Sequence, residues 1–180
     1  MSHKGMVNLD RIQAGVNGIV ENVKCDDTDL ENGMVLFLGD MVDDEYQLYE
    51  VLKPNDGDVD LDKDPLYLHA SPEVMYDPRD TGLENFYVPQ GKAARAFLLQ
   101  VGDEFQISAN MIDNPSDIDI ENGNYVYLAA KDSNDMKLEA LEHYPGEEST
   151  DEKRFVAKAI KETKLGYEER DAFLLKVVKA

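Results

Sequence analysis

Apolar and polar positions alternate with period two along most of the chain. Runs of Val, Ile, Leu, Phe and Tyr about 5–10 residues long are broken by clusters of Gly, Asn, Asp and Pro, the pattern of strands joined by turns. This pattern predicts strands over 15–24, 34–39, 46–52, 66–70, 93–101, 104–108, 124–130, 136–143, 154–165 and 172–179. The stretch 153–164 also fits a helix. Gly166 and the apolar run from Phe173 to Val178 favour a hairpin instead. Segment 71–90, with its prolines and scattered aromatics, reads as an ordered loop. Short strands with regular turn signals predict an all-β fold, an antiparallel barrel or sandwich.

A self-similarity divides the chain. Asp27-Thr28-Asp29-Leu30-Glu31-Asn32-Gly33 returns 90 residues later as Asp117-Ile118-Asp119-Ile120-Glu121-Asn122-Gly123. Each copy leads into a strand, an acidic turn, a second strand and a proline, Pro54 or Pro145. The Asn-Gly pairs Asn32-Gly33 and Asn122-Gly123 supply the positive φ of a tight turn. Leu30 and Ile120 are placed to plug the base of a barrel. The expected organisation is an extended N-terminal arm over 1–15, a first β subdomain with its loop over 16–90, and a second over 91–180 that ends in a basic hairpin. The arm, polar and without a cap, is expected to add a strand to a neighbouring molecule.

Charge sharpens this picture. The 180 residues carry 38 acidic and 18 basic side chains, a net charge of −20. With 42% hydrophobic residues the chain can still build a core. Such acidity excludes nucleic acid as a ligand, which needs basic patches, and disfavours anionic membranes. No run approaches a membrane span, and the first residues lack the apolar stretch of a secretory signal. The last segment, 153–180, reverses sign, with eight basic against four acidic residues. It predicts a basic ribbon, with Lys153, Arg154, Lys158 and Lys161 available to an acidic partner or to the protein's own acidic body.

Little chemistry is visible. His3, His69 and His143 have no metal-ligand spacing to one another or to Cys25, the single cysteine, so no zinc motif exists. Asp56, Asp58 and Asp60 start like a calcium loop, but Leu61 stands where that motif needs Gly and Tyr67 where it needs Glu. A solvated acidic loop is the expectation, with calcium the weaker reading; no other cofactor is implied. No nucleophile elbow, phosphate loop or dinucleotide fingerprint occurs, so the chain reads as non-enzymatic. Tyr67, Tyr76, Phe86 and Tyr87 cluster around the proline-stiffened loop, and Tyr76, Phe86 and Tyr87 are candidate partner contacts.

Asn8-Leu9-Asp10-Arg11-Ile12-Gln13-Ala14-Gly15, Leu30-Glu31-Asn32-Gly33, Ala70-Ser71-Pro72-Glu73-Val74-Met75-Tyr76, and Gly91-Lys92-Ala93-Ala94-Arg95-Ala96-Phe97 with Gly102-Asp103-Glu104-Phe105 resemble small virion structural proteins of tailed bacteriophages. These include capsid decoration proteins. The resemblance covers most of residues 8–130. It implies a β-rich protein without catalytic residues that binds the assembled major capsid protein on the outer face of the virion, after synthesis in the bacterial cytoplasm. It also admits a homo-oligomer, and it adds Asn8 and Arg11 of the arm as contact candidates. The acidic loop 55–64 and the segment 153–180 have no counterpart in it. Two other readings stay open: an acidic DNA mimic that inhibits a DNA-binding enzyme, and a tail or connector component of the virion.

Overall fold

Two sheets hold every named strand among the described residues, which are 4–13, 18–43, 45–72, 85–144 and 153–180 of the computed structural model. The protein is all-β. The first sheet is a closed barrel in the order β2-β4-β3-β5-β6. Its strands are β2 (Val20–Lys24), β3 (Val35–Met41), β4 (Leu48–Leu52), β5 (Tyr67–His69) and β6 (Ala93–Leu98). The second has seven strands in the order β1-β7-β12-β11-β9-β10-β8. They are β1 (Val7–Arg11), β7 (Glu104–Ser108), β8 (Ile112–Asp113), β9 (Tyr127–Ala130), β10 (Leu138–Leu141), β11 (Val156–Leu165) and β12 (Arg170–Lys179). The hairpin expected over 154–179 is present as β11 and β12, not a helix.

The two sheets repeat one topology. The order β2-β4-β3-β5-β6 of the barrel matches β8-β10-β9-β11-β12 of the second sheet. Both contain one parallel pair, and its register is shifted by the same 90 residues as the sequence repeat. Asn22 stands beside Leu48 in the barrel, and Ile112 beside Leu138 in the sheet. β7 and β8 are separated only by the 3-10 turn Ala109–Met111, so the second sheet returns on itself. β7 takes β12 and β8 takes β10, two halves of one bent strand.

Burial explains why the sheets are inseparable. Val23, Leu36, Tyr67, Ala94 and Ala96 fill the barrel. Their neighbours of opposite parity, Val35, Phe37 and Leu68, leave the barrel wall outward. They enter one cluster with Phe105, Ile107, Leu128, Leu138, Ala157 and Leu175 of the second sheet. β3 and β5 are thus apolar on both faces, as strands covered on both sides must be. Met136, just before β10, crosses the joint. It lies in the barrel's own cluster at 1% exposure, and its carbonyl accepts the Val35 N–H at 2.9 Å. The place of Met136 in the first hairpin is taken by Tyr46, 97% exposed.

Two expectations are corrected. β6 pairs with β2 and β5, so the barrel extends past the boundary expected at residue 90, and the chain passes to the second sheet after Leu98. The described part of the N-terminal arm packs within its own molecule. It forms β1 and pairs antiparallel with β7 of its own chain. Asp103, wholly buried, fastens its end by accepting the Gln13 N–H at 2.7 Å and the Gln100 N–H at 2.8 Å.

Met136→Ala removes the side chain that bridges the two units and leaves a cavity, so it should cost about 2–4 kcal/mol in urea denaturation. Tyr46→Ala, at the same place in the other hairpin, should change stability by less than about 0.5 kcal/mol. Equal effects would contradict the bridging role.

Candidate functional site

The first turn copy is the polar centre of the molecule. His69 has no exposed surface. Its Nδ1 lies 2.8 Å from the Glu31 carbonyl, which can only accept, so Nδ1 carries the proton. Nε2 is therefore bare and accepts from the Ser71 hydroxyl at 3.0 Å. Ser71 Oγ in turn accepts the Arg95 N–H at 2.9 Å. The Asn32 amide clamps the Ser71 backbone in both directions, donating from Nδ2 to the carbonyl at 3.1 Å and accepting the N–H on Oδ1 at 2.9 Å. Every polar side-chain atom of His69 is satisfied, as burial requires. Gly33, at φ 96°, donates its N–H to the His69 carbonyl at 2.9 Å. A Cβ there would lie 3.0 Å from Met111 and 3.2 Å from Ile107, so only glycine suits both the turn and the joint.

Ser71 and His69 have the spacing of a nucleophile and its base. Their surroundings assign them a different task. Burial lowers the His69 pKa to about 4, only partly opposed by the Glu31 carbonyl. Among the described residues no carboxylate contacts Nδ1, and the ring has no exposed surface, so a catalytic imidazolium has nothing there to stabilise it. Cys25 is similarly quiet. Burial, then its bond to Asp27 at 3.1 Å, raises the thiol pKa.

The second turn copy serves another purpose. Gly123 has φ 77°, and Asn122 caps Asp119 through its N–H at 3.0 Å and its Nδ2 at 2.6 Å. Asn122 is exposed, whereas Asn32 is 3% exposed. Leu30 is buried in the barrel cluster, and Ile120 packs partly buried against the main core.

The candidate contact residues scatter. Phe86 is 2% exposed and sits in the barrel core, so it is no surface contact; an aromatic in a proline-bearing loop here serves packing. Tyr87 stacks under Lys4, whose Nζ lies 5.0 Å from the ring and 2.9 Å from Glu31. Asn8 is exposed on β1 and donates to Gln106 at 3.2 Å. Tyr76 and the Arg11 side chain lie outside the described residues. The basic segment divides. Its start rests on the protein's own acidic loop, where Arg154 N–H meets the Leu61 carbonyl at 3.3 Å and Lys153 lines a hollow with Asp58, Asp60 and Asp62. Lys158 and Lys161 face outward on β11, Lys158 at 5.6 Å from the Tyr127 ring.

Asp56, Asp58 and Asp60 are not gathered as ligands. Asp56 accepts the Lys53 N–H at 2.6 Å, and Asp60 accepts the Asp62 N–H at 3.1 Å and Lys63 Nζ at 2.5 Å. Asp58 is exposed. Among the described residues, no group of three His, Cys, Asp or Glu side chains is set to hold a metal.

The His69 centre generates a pH dependence. Its pKa is about 4 folded and near 6.5 unfolded, so the unfolded chain binds more protons between those values. Stability should therefore be full above about pH 6.5 and fall by about 3 kcal/mol as pH drops to about 4. Denaturation midpoints across that window, with His69→Gln flattening the slope, test this. A His69 ring that titrates near its ordinary value by NMR contradicts it.

No helix among the described residues is long and apolar enough to cross a membrane. Comparison with known proteins finds no matching family model, curated relative or solved structure.

Proposed function

We propose that the protein is a non-enzymatic structural protein of a tailed-phage virion that binds and stabilises the assembled capsid, a head decoration or auxiliary protein. The observation that carries this reading is the β11–β12 arm. It presents outward lysines, Lys158 and Lys161, and the 98% exposed Tyr167 at its tip, on a body of net charge −20. Lysines with an exposed aromatic suit an acidic protein surface, and Tyr buries large area at low entropic cost. The matching strand orders favour descent of both units from one duplicated β module, the second carrying this arm. The shared core supports a rigid load-bearing role. Binding the assembled lattice in preference to free subunits stabilises the lattice by mass action. The acidic loops then face solvent and keep particles apart.

Incubation with emptied, undecorated heads of the phage that encodes the chain, followed by sedimentation, tests the proposal. The protein should pellet with heads at physiological salt. Lys158→Glu combined with Tyr167→Ser should weaken binding about tenfold or more, with folding unchanged. A protein that stays in the supernatant at every salt concentration contradicts the reading.

A further inference from the structure

We propose that the outer edge of β11, from Ile160 to Leu165, is a homodimer interface in which two copies pair antiparallel about a two-fold axis at Thr163.

The edges of the molecule motivate this. The barrel is closed and has none. β8 is two residues long, and β1 is bulged between Asn8 and Arg11; shortness and bulges both blunt an edge. β11 differs. It pairs with β12 down to Leu165, but among the described residues its other side meets β9 only at Ala157 and Lys158, followed by the bond from Ala159 N–H to the Val126 carbonyl. The register shift between Ala159 and Lys161 marks where the strand bends away from β9. Alternate residues of this stretch then turn their backbone N–H and C=O groups outward, with no strand beside them among the described residues. This open edge includes Ile160, 41% exposed.

The sequence of this edge is complementary to itself. A two-fold axis perpendicular to a sheet keeps each side chain on its own face, so residues that oppose one another must share parity. With the axis at Thr163, Glu162 opposes Lys164 of the partner subunit, and Lys164 opposes Glu162 of the partner subunit. Moving the axis by one residue places Glu162 or Lys164 against its own copy, and moving it by two places Lys161 against its own copy or Glu162 against Glu168 of the partner subunit. Cross-strand opposite charges stabilise pairing and like charges oppose it, so the Thr163 register is selected. Glu162 is exposed and has no ion pair among the described residues, whereas Lys164 is paired with Asp171 across the hairpin and also feels the charges of Glu169 and Glu162. The paired edges would make one continuous sheet through both copies, by the same backbone bonds that let a peptide add to an open sheet.

The inference goes beyond shell binding and is tested on purified protein alone, so either can fail without the other. Sedimentation velocity should show a concentration-dependent dimer. Glu162→Lys and Lys164→Glu should each weaken it about tenfold or more, because each sets like charges opposite one another twice. An equimolar mixture of the two variants restores opposite charges at both positions and should recover the dimer. Thr163→Cys should form a disulfide-linked dimer on mild oxidation, while Tyr167→Cys at the hairpin tip should not; the native Cys25 is buried and gives little background. A wild type that remains monomeric up to about 1 mM overturns the proposal. So does a mixture that associates no better than its components.

Discussion

The structure depends on β3 and β5 being apolar on both faces. A small barrel normally turns one face of each strand to solvent. Here Leu36 and Tyr67 point into the barrel, while Val35, Phe37 and Leu68 point out of it into the core of the second sheet. Each such side chain is worth about 1.5–3 kcal/mol when fully buried. Neither unit could leave the other without exposing that surface. The finer devices at the joint follow from this. Gly33 permits the close approach of Met111, Met136 closes the barrel from the other side, and His69 with Ser71 and Asn32 satisfies the backbone that the joint has cut off from water.

The same constraint shapes what the surface can do. A welded pair of β units keeps its hairpin tips and open edges in fixed relative positions. Ordering cost on binding is then small, which favours docking through a few side chains. Charge assists. Lys158, Lys161 and Lys164 are exposed on β11 of an otherwise acidic body, which gives the proposed docking a direction through charge. The Ser71–His69 pair shows how geometry alone can mislead. Its spacing and its tautomer suit catalysis, but its burial and the backbone carbonyl at Nδ1 suit the stabilisation of a joint.

Much of the strand content was legible in the sequence because alternation is a local property. The ten expected strands all have counterparts, though often shorter. Two strands escape this periodicity for physical reasons. Val7–Arg11 carries Asn8, Asp10 and Arg11 and looks like a solvated arm until β7 lies beside it. Ile112–Asp113 is too short for any period. The continuous run Met34-Val35-Leu36-Phe37-Leu38 was the available sign of a strand covered on both sides. The polar centre was not legible. Glu31, His69 and Arg95 are far apart in sequence and share no pattern, and Asn32 and Asn122 occupy matching motifs with opposite burial. Phe86 lies in a proline-bearing loop, where aromatics are often exposed, and only the fold reveals that it seals a barrel.

One shared core makes the barrel and the second sheet a single cooperative body. Native-state hydrogen exchange of the backbone amides tests it most directly. Amides of Val35 and Leu68 in the barrel and of Ile107 and Leu175 in the second sheet should exchange with one common free energy, equal to that of global unfolding. A barrel whose amides exchange at a distinctly different free energy from those of the second sheet would contradict the account.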